Sequence, residues 1–396
     1  MAEAKAAADS GAPSDARREQ LAGARRTVIK VGTRVLTHPD GTLALARLYQ
    51  IIEAAARLRR EGRDVLMVTS GAVGLGRDAL GLTHQPRDAA VKQMCAAVGQ
   101  SRLMELYEQG FGRLGIVCAQ ILITWTDFDD RLRYLNLHTT LDNLLARGVV
   151  PVINENDVLS LNDRAYVNTD KRPIFDDNDR LSALVASELT ADVLVLLTDV
   201  QGVMTRDPRT DPNAELVARI DDPREHGVEV SGPAVGGRGG MSSKLAAALL
   251  ASHGGCNTVI ASGMSGQALA RIFAGDAEGT WIPARDAALA PRSRWIAYCC
   301  DPKGILYLDT GAVSALRHRR ASLLAKGVAR LTGEFRRGDV VELRGQDDDA
   351  VVGRGIVPVD ATTARRWMAG DAPPEARNRH ALIDREHLVL AKEDTQ

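Results

Sequence analysis

Long hydrophobic runs are missing from this 396-residue chain: the longest, such as VLVLL at 193–197, are strand-length, whereas a membrane-spanning helix needs about 20 apolar residues. The first twenty residues carry charges throughout and no apolar stretch, which argues against a secretory signal. Cysteine is scarce. Cys95, Cys118, Cys256, Cys299 and Cys300 form no CxxC pair and no metal-ligand spacing, and an odd number argues against a disulfide framework. A cytoplasmic location is the expectation. Nothing beside Cys299 and Cys300 would lower a thiol pKa, so both read as core or strand residues. Aromatic residues make up 4%, and Trp125, Trp281, Trp295 and Trp367 show no stacking pattern to which a function attaches. Neither charge is in excess: 50 Lys and Arg against 51 Asp and Glu give a formal charge of -1, which removes any global sign of a polyanionic partner. Two phosphate-binding signatures are absent as well. GxxxxGK[ST] does not occur, and GAVGLG at 71–76 is not in the GxGxxG order of dinucleotide folds.

What is present is an ordinary globular composition, 45% hydrophobic and 26% charged, on a chain long enough for two domains. From Thr27 short β-branched runs alternate with helical periods, which predicts an α/β fold with a mainly parallel sheet covered by helices. Strands are expected at 27–32, 64–70, 115–123, 149–153, 192–198 and 257–261. Helices are expected over 45–58, 89–110, 131–147, 179–189 and 241–253. Residues 1–25 read as a solvated tail, the α/β domain as 26–284, and PARDAALAPRSR as marking a linker at 285–294. Beyond it WIAYCC, GILYLD, GVARLTG, GDVVELRG and AVVGRGIV are short runs separated by glycine and charge, so 295–372 is expected to form a small β-rich module, with 373–396 a loosely ordered tail.

In open α/β sheets ligands collect beyond the carboxyl ends of strands. Four apolar runs end there in polar clusters: Lys30, Gly32 and Thr33; Thr69, Ser70 and Gly71; Asn154 to Asp157; Thr198 and Asp199. One such end is what any turn requires; four on one sheet point to a site. Lys30 interrupts a strand expected to be buried on both faces. It is either an edge-strand gatekeeper or, with Gly32 beside it, part of an anion site. A second anion cradle is GGRGGMSSKLAAALL (236–250), a glycine-rich loop running into a helix with Lys244 in its first turn. Asp177, Asn178 and Asp179 open another helix and exceed what capping needs.

These residues resemble the glutamate 5-kinases (γ-glutamyl kinases), a family of amino-acid kinases. The resemblance rests on IKVGTRVLT, VTSGAVGLG, AAVGQSRLM, VPVINENDV, DNDRLSALVA, LLTDVQGVMTRDPR and GGMSSKLAAA, in that order over 27–285. The segment after Arg294 is similar to the PUA domain that many bacterial members carry. It implies a three-layer amino-acid-kinase sandwich that transfers the γ-phosphoryl of Mg·ATP to the side-chain carboxylate of L-glutamate, with Mg2+ held through the nucleotide. By the same resemblance Lys30 and Lys244 hold phosphate, Asp179 holds the lysines, and Ser70, Asp157 and Asn178 hold glutamate, with Asp157 on its ammonium. Thr198, Asp199, Arg238, Gly239, Gly240, Met241, Ser242, Ser243 and Lys244 match nucleotide contacts. Proline inhibition and a homodimer or homotetramer are further family properties.

Three departures stand out: Arg238 where a small residue is expected, Asp176 in place of a glycine, and a longer stretch from Val158 to Phe175. The alternative acceptors are aspartate and N-acetylglutamate. The NEND cluster favours a free amino acid, and a UMP acceptor would want more basic residues. An RNA role for the second module has weak support: residues 291–396 hold 18 Lys and Arg against 15 Asp and Glu, with one cluster at Arg317, His318, Arg319 and Arg320.

Overall fold

A computed structural model describes residues 20–84, 86, 88–159, 178–208, 210–222, 240–285, 290–299, 302–319, 321–371 and 381–391. They fall into two compact units, one within 1–127 and 131–288, the other within 128–130 and 289–396.

The first unit is built on a seven-stranded sheet in the order β3-β4-β2-β1-β5-β6-β7. Its strands are β1 (Arg26–Val31), β2 (Asp64–Val68), β3 (Cys118–Ile123), β4 (Val150–Glu155), β5 (Val193–Thr198), β6 (Asn257–Ser262) and β7 (Thr280–Ile282). All neighbours are parallel except β6 and β7. The alternating direction of strand side chains sorts β1 into two faces. Ile29 and Val31 join Val65, Met67, Val193 and Val195 in a core closed by Tyr107 and Phe111 from the Ala89–Arg113 helix and by Leu48, Ile51 and Ile52 from the Leu45–Arg60 helix. Lys30 therefore leaves the opposite face, on which the Asn178–Glu188 helix packs.

The strand order also decides what Lys30 is. β1 is the middle strand of seven, with β2 on one side and β5 on the other, so the gatekeeper reading fails. The chain builds out from β1 first through β2 and then, after β4, through β5. That reversal opens a crevice at the carboxyl end of β1, where Lys30 and Gly32 stand.

Part of the segment 1–25, expected to be a solvated tail, packs into the first unit. Residues 1–19 lie outside the described set, but Leu21 and Ala24 are buried, and Arg63 Nη1 donates to Ala24 O at 2.7 Å. GAVGLG serves packing: a Cβ on Gly99 of the Ala89–Arg113 helix would stand 1.8 Å from Ala72 O and 2.5 Å from Gly76 N, so that helix and the Ala72–Ala79 helix touch backbone to backbone. Gly71 precedes the shorter helix at φ 105°, a left-handed conformation that favours glycine.

The second unit carries a five-stranded sheet, β12-β11-β10-β8-β9, built from β8 (Gly304–Leu308), β9 (Val328–Gly333), β10 (Val340–Gly345), β11 (Val351–Ile356) and β12 (Leu388–Leu390). Two expectations change here. WIAYCC is a π-helix over Trp295–Cys299 following a helical turn at Pro291–Arg294, not a strand. Within the stretch 373–396, expected to be loose, residues 381–391 supply β12 against β11 and bury Leu382 and Ile383 completely. Arg317, His318 and Arg319 sit in the last turn of the Thr310–Arg319 helix, where cations offset the carbonyl end of the dipole. Arg320 lies outside the described residues.

Candidate active site

Three strand ends and two helix starts meet around Asp179. This aspartate is the second residue of the Asn178–Glu188 helix and is 1% exposed. Lys30 Nζ stands 2.6 Å from its Oδ1, and Lys244 Nζ donates to its Oδ2 at 3.0 Å. Lys30 comes from the middle strand and Lys244 from the first turn of the Met241–His253 helix, yet both ammonium groups are buried. Burial alone would raise the aspartate's pKa; the two cations outweigh that and hold its carboxyl below the usual range. Two cations on one anion leave the cluster positive. It stands beside the Met241–His253 helix, whose Gly240 N-cap has no side chain to cover the first-turn N–H groups. Gly32 keeps the way to Lys30 open: its amide donates to Leu197 O at 3.2 Å, and a Cβ there would lie 3.7 Å from Lys30 Nζ.

A second cluster consists of neutral polar groups. Asn178 Nδ2 donates to Thr69 O at 2.5 Å, Ser70 Oγ at 2.9 Å and Asn154 Oδ1 at 3.0 Å. Asn154, 2% exposed at the end of β4, donates in turn to Gln100 Oε1 at 2.9 Å. Behind them the fully buried Tyr107 hydroxyl donates to Thr69 Oγ1 at 2.9 Å. Because Asn178 and Asp179 are consecutive, one helix start holds the lysine cluster and the amide cluster side by side.

The third pair is Thr198 and Asp199 at the end of β5. Asp199 accepts from Arg34 Nη1 at 3.0 Å and from Thr198 Oγ1 at 3.1 Å. Half-burial opposes ionisation of Asp199, but the Arg34 guanidinium overcomes it and keeps the carboxyl below the usual range.

The structure thus brings together Lys30, Asp179 and Lys244, and separately Ser70 and Asn178. Asp157 is half-buried at the same strand end as Asn154, three residues along the chain. Gly240, Met241, Ser242 and Ser243 form the start of the Lys244 helix. Arg238, Gly239, Asp176 and most of the long loop lie outside the described residues.

The chain matches the model of the amino acid kinase family over residues 25–262 and the PUA domain over 304–373. It is 43% identical to the glutamate 5-kinase of Chromohalobacter salexigens over 358 residues, covering 89% of this chain and 91% of that protein. The glutamate 5-kinase of Thioalkalivibrio sulfidiphilus is 43% identical over 382 residues, covering 94% of this chain and 99% of its own. This chain belongs to the glutamate 5-kinase family. The glutamate 5-kinase of Pelobacter propionicus agrees, 41% identical over 383 residues with 94% of this chain covered. Among solved structures, a UMP kinase from Bacillus anthracis aligns over 67% of this chain at 17% identity with a TM-score of 0.44, a likeness that says nothing about substrate.

Sequence reasoning missed three residues that the geometry brings in. Arg34 and Gln100 lie inside the motifs IKVGTRVLT and AAVGQSRLM, a signal that was available but attached to no role. Tyr107 carried no signal, since its hydroxyl matters only through the helix that buries it against Thr69. Two of the tryptophans do have cationic neighbours: Arg219 lies 5.0 Å from the Trp281 ring centre and Arg180 5.6 Å from that of Trp125.

Proposed function

We propose that this chain transfers the γ-phosphoryl group of ATP to the side-chain carboxylate of L-glutamate, giving L-glutamyl 5-phosphate, the first step of proline synthesis. The observation that carries the reading is the convergence of Lys30 and Lys244 on Asp179. A carboxylate approaching a triphosphate meets the repulsion of like charges, so catalysis is positioning plus neutralisation. At an effective dielectric of 20, one ammonium 4 Å from a unit negative charge contributes about 4 kcal/mol. Lys30 and Lys244 supply that attraction to the transferring group, and Asp179 keeps both amines aimed. Gly240, Met241, Ser242 and Ser243 offer backbone donors to the phosphates, joined by Arg238 and Gly239; Thr198 and Asp199 hold the nucleotide. Ser70, Asp157 and Asn178 hold glutamate, with Asp157 on its ammonium. No general base is needed, because the attacking carboxylate is ionised at neutral pH.

By the family resemblance Mg2+ is assigned to the nucleotide phosphates. When bound there it neutralises phosphate charge. By the same reading the kinase domain spans 26–284 and a linker 285–294, and the PUA-like domain begins at 295 and takes in β12. Homo-oligomerisation and inhibition by proline are tested by sedimentation and by proline titration. Among the described residues no helix is long and apolar enough to cross a membrane.

The test is a glutamate-dependent hydroxamate assay on the purified chain, with aspartate and N-acetylglutamate as rival acceptors. Lys244→Ala abolishes turnover, and Asp157→Ala mainly raises KM for glutamate. Turnover with N-acetylglutamate and none with glutamate overturns the assignment.

A further inference from the structure

The amide cluster around Asn178 has a direction, and backbone groups set it. Glu155 N donates to Asn154 Oδ1 at 3.0 Å. A backbone N–H cannot accept, so the Asn154 atom facing it is its oxygen, and the Asn154 amide nitrogen is turned to Gln100. Only an acceptor on Gln100 satisfies that nitrogen. At the other end Thr69 O, a backbone carbonyl, lies 2.5 Å from the Asn178 amide and cannot donate, so the atom facing it is the nitrogen. Both Asn178 amide hydrogens are then directed inward to Thr69 O, Ser70 Oγ and Asn154 Oδ1. Two groups of the cluster remain for a ligand: the carbonyl oxygen of Asn178, an acceptor, and the hydroxyl hydrogen of Ser70, a donor, since Ser70 Oγ already accepts from Asn178.

We infer that Ser70 and Asn178 form a donor–acceptor pair for the zwitterionic head of an amino acid, with Ser70 on its α-carboxylate and Asn178 Oδ1 on its α-ammonium, and that Gln100 is the positioning residue that anchors Asn154 beside that pair. The inference rests on the functional reading above and deepens it. Gln100 is half-buried in the Ala89–Arg113 helix and reaches the pair only through Asn154. Without its acceptor, the buried Asn154 amide loses its partner. The Glu155 N–H still faces the Asn154 oxygen, but the side chain is then held from one end only, so its grip on Asn178 and the aim of the Asn178 oxygen loosen.

The experiment compares Gln100→Met, which keeps size and removes the acceptor, with Gln100→Glu, which keeps an acceptor. KM for glutamate, KM for ATP, kcat and the competitive Ki of glutarate, which lacks the ammonium, are measured on each folded chain. The expected result is that Gln100→Met raises KM for glutamate roughly tenfold, the scale of one buried polar group left unpaired. KM for ATP stays within twofold, the glutarate Ki rises less than the glutamate KM, and Gln100→Glu restores most of the glutamate affinity. An unchanged glutamate KM in Gln100→Met overturns the inference. An equal loss in Gln100→Glu does so too, because the acceptor atom is then irrelevant. Equal shifts for glutamate and glutarate overturn the assignment of Asn178 to the ammonium. A wild-type chain inactive on glutamate overturns the functional reading and this inference with it; an active one that fails only these comparisons leaves the functional reading standing.

Discussion

Replacing Asp179 by Asn removes one charge and almost no volume, and it leaves two buried ammonium groups facing an amide. In the wild type both carboxylate oxygens are engaged, by Lys30 at 2.6 Å and Lys244 at 3.0 Å, with all three side chains at most 10% exposed. Asparagine accepts from one lysine through Oδ1 and turns its NH2 against the other. Leaving a buried ion unpaired in this way costs about 3–5 kcal/mol, which for a unit of this size lowers Tm by roughly 6 to 20 °C. Because the lysines now lack their anion, phosphate should compensate. Saturating ATP is expected to raise Tm more in Asp179→Asn than in the wild type, by the usual linkage between binding and stability. Turnover falls at least about 100-fold, since the amines are no longer aimed at the transferring group. Scanning calorimetry with and without Mg·ATP, alongside the hydroxamate assay, reads all three quantities. A variant that melts within 1 °C of the wild type and keeps its kcat would falsify the view that Asp179 holds the lysines.

Gly99→Ala places a methyl 1.8 Å from Ala72 O, a backbone atom that cannot step aside, so it costs about 3 kcal/mol or more in denaturant unfolding; a loss under 1 kcal/mol refutes the backbone-to-backbone packing. Gly32→Ala puts a Cβ 3.3 Å from Leu197 O and 3.7 Å from Lys30 Nζ. It is expected to raise KM for ATP several-fold while KM for glutamate stays put, and steady-state kinetics on both substrates checks it. For acid stability, the folded pKa of Asp179 lies below the ordinary value of 3.8. Its contribution is therefore complete above that value and lost as pH falls through the folded one. The stability gap between wild type and Asp179→Asn should hold from pH 7 to 5 and shrink only below 4; a gap that closes by pH 5 contradicts the depressed pKa.

Much of the first unit was legible because period and punctuation agree. The run from Met241 to His253 is a helix with the expected bounds, and the run at 257–261 is a strand one residue longer than expected. Legibility failed where a segment's order comes from partners far along the chain. Residues 388–390 are three apolar positions in a charged stretch, too short to register as a strand until β11 supplies their hydrogen bonds. Leu21 looked like part of a solvated tail because its burial depends on the core cluster it joins, most of whose members lie far along the chain. WIAYCC was misread for a different reason, since a short apolar run has no period by which to tell strand from helix.

The site divides in the same way. Lys30, Ser70, Asn154, Asp179 and Lys244 were identifiable in the sequence, because an apolar run that ends in charge, or glycines that open a helix, leave a local trace in the order of residues. That Lys30 and Lys244, 214 positions apart, share one carboxylate was decided by the sheet, which makes β1 its middle strand and sets two helix starts beside its end. The direction of the amide relay was likewise beyond the sequence. Whether an asparagine offers its nitrogen or its oxygen depends on the backbone groups that fold against it, and the N–H of Glu155 and the carbonyl of Thr69 reach those amides only through the tertiary structure.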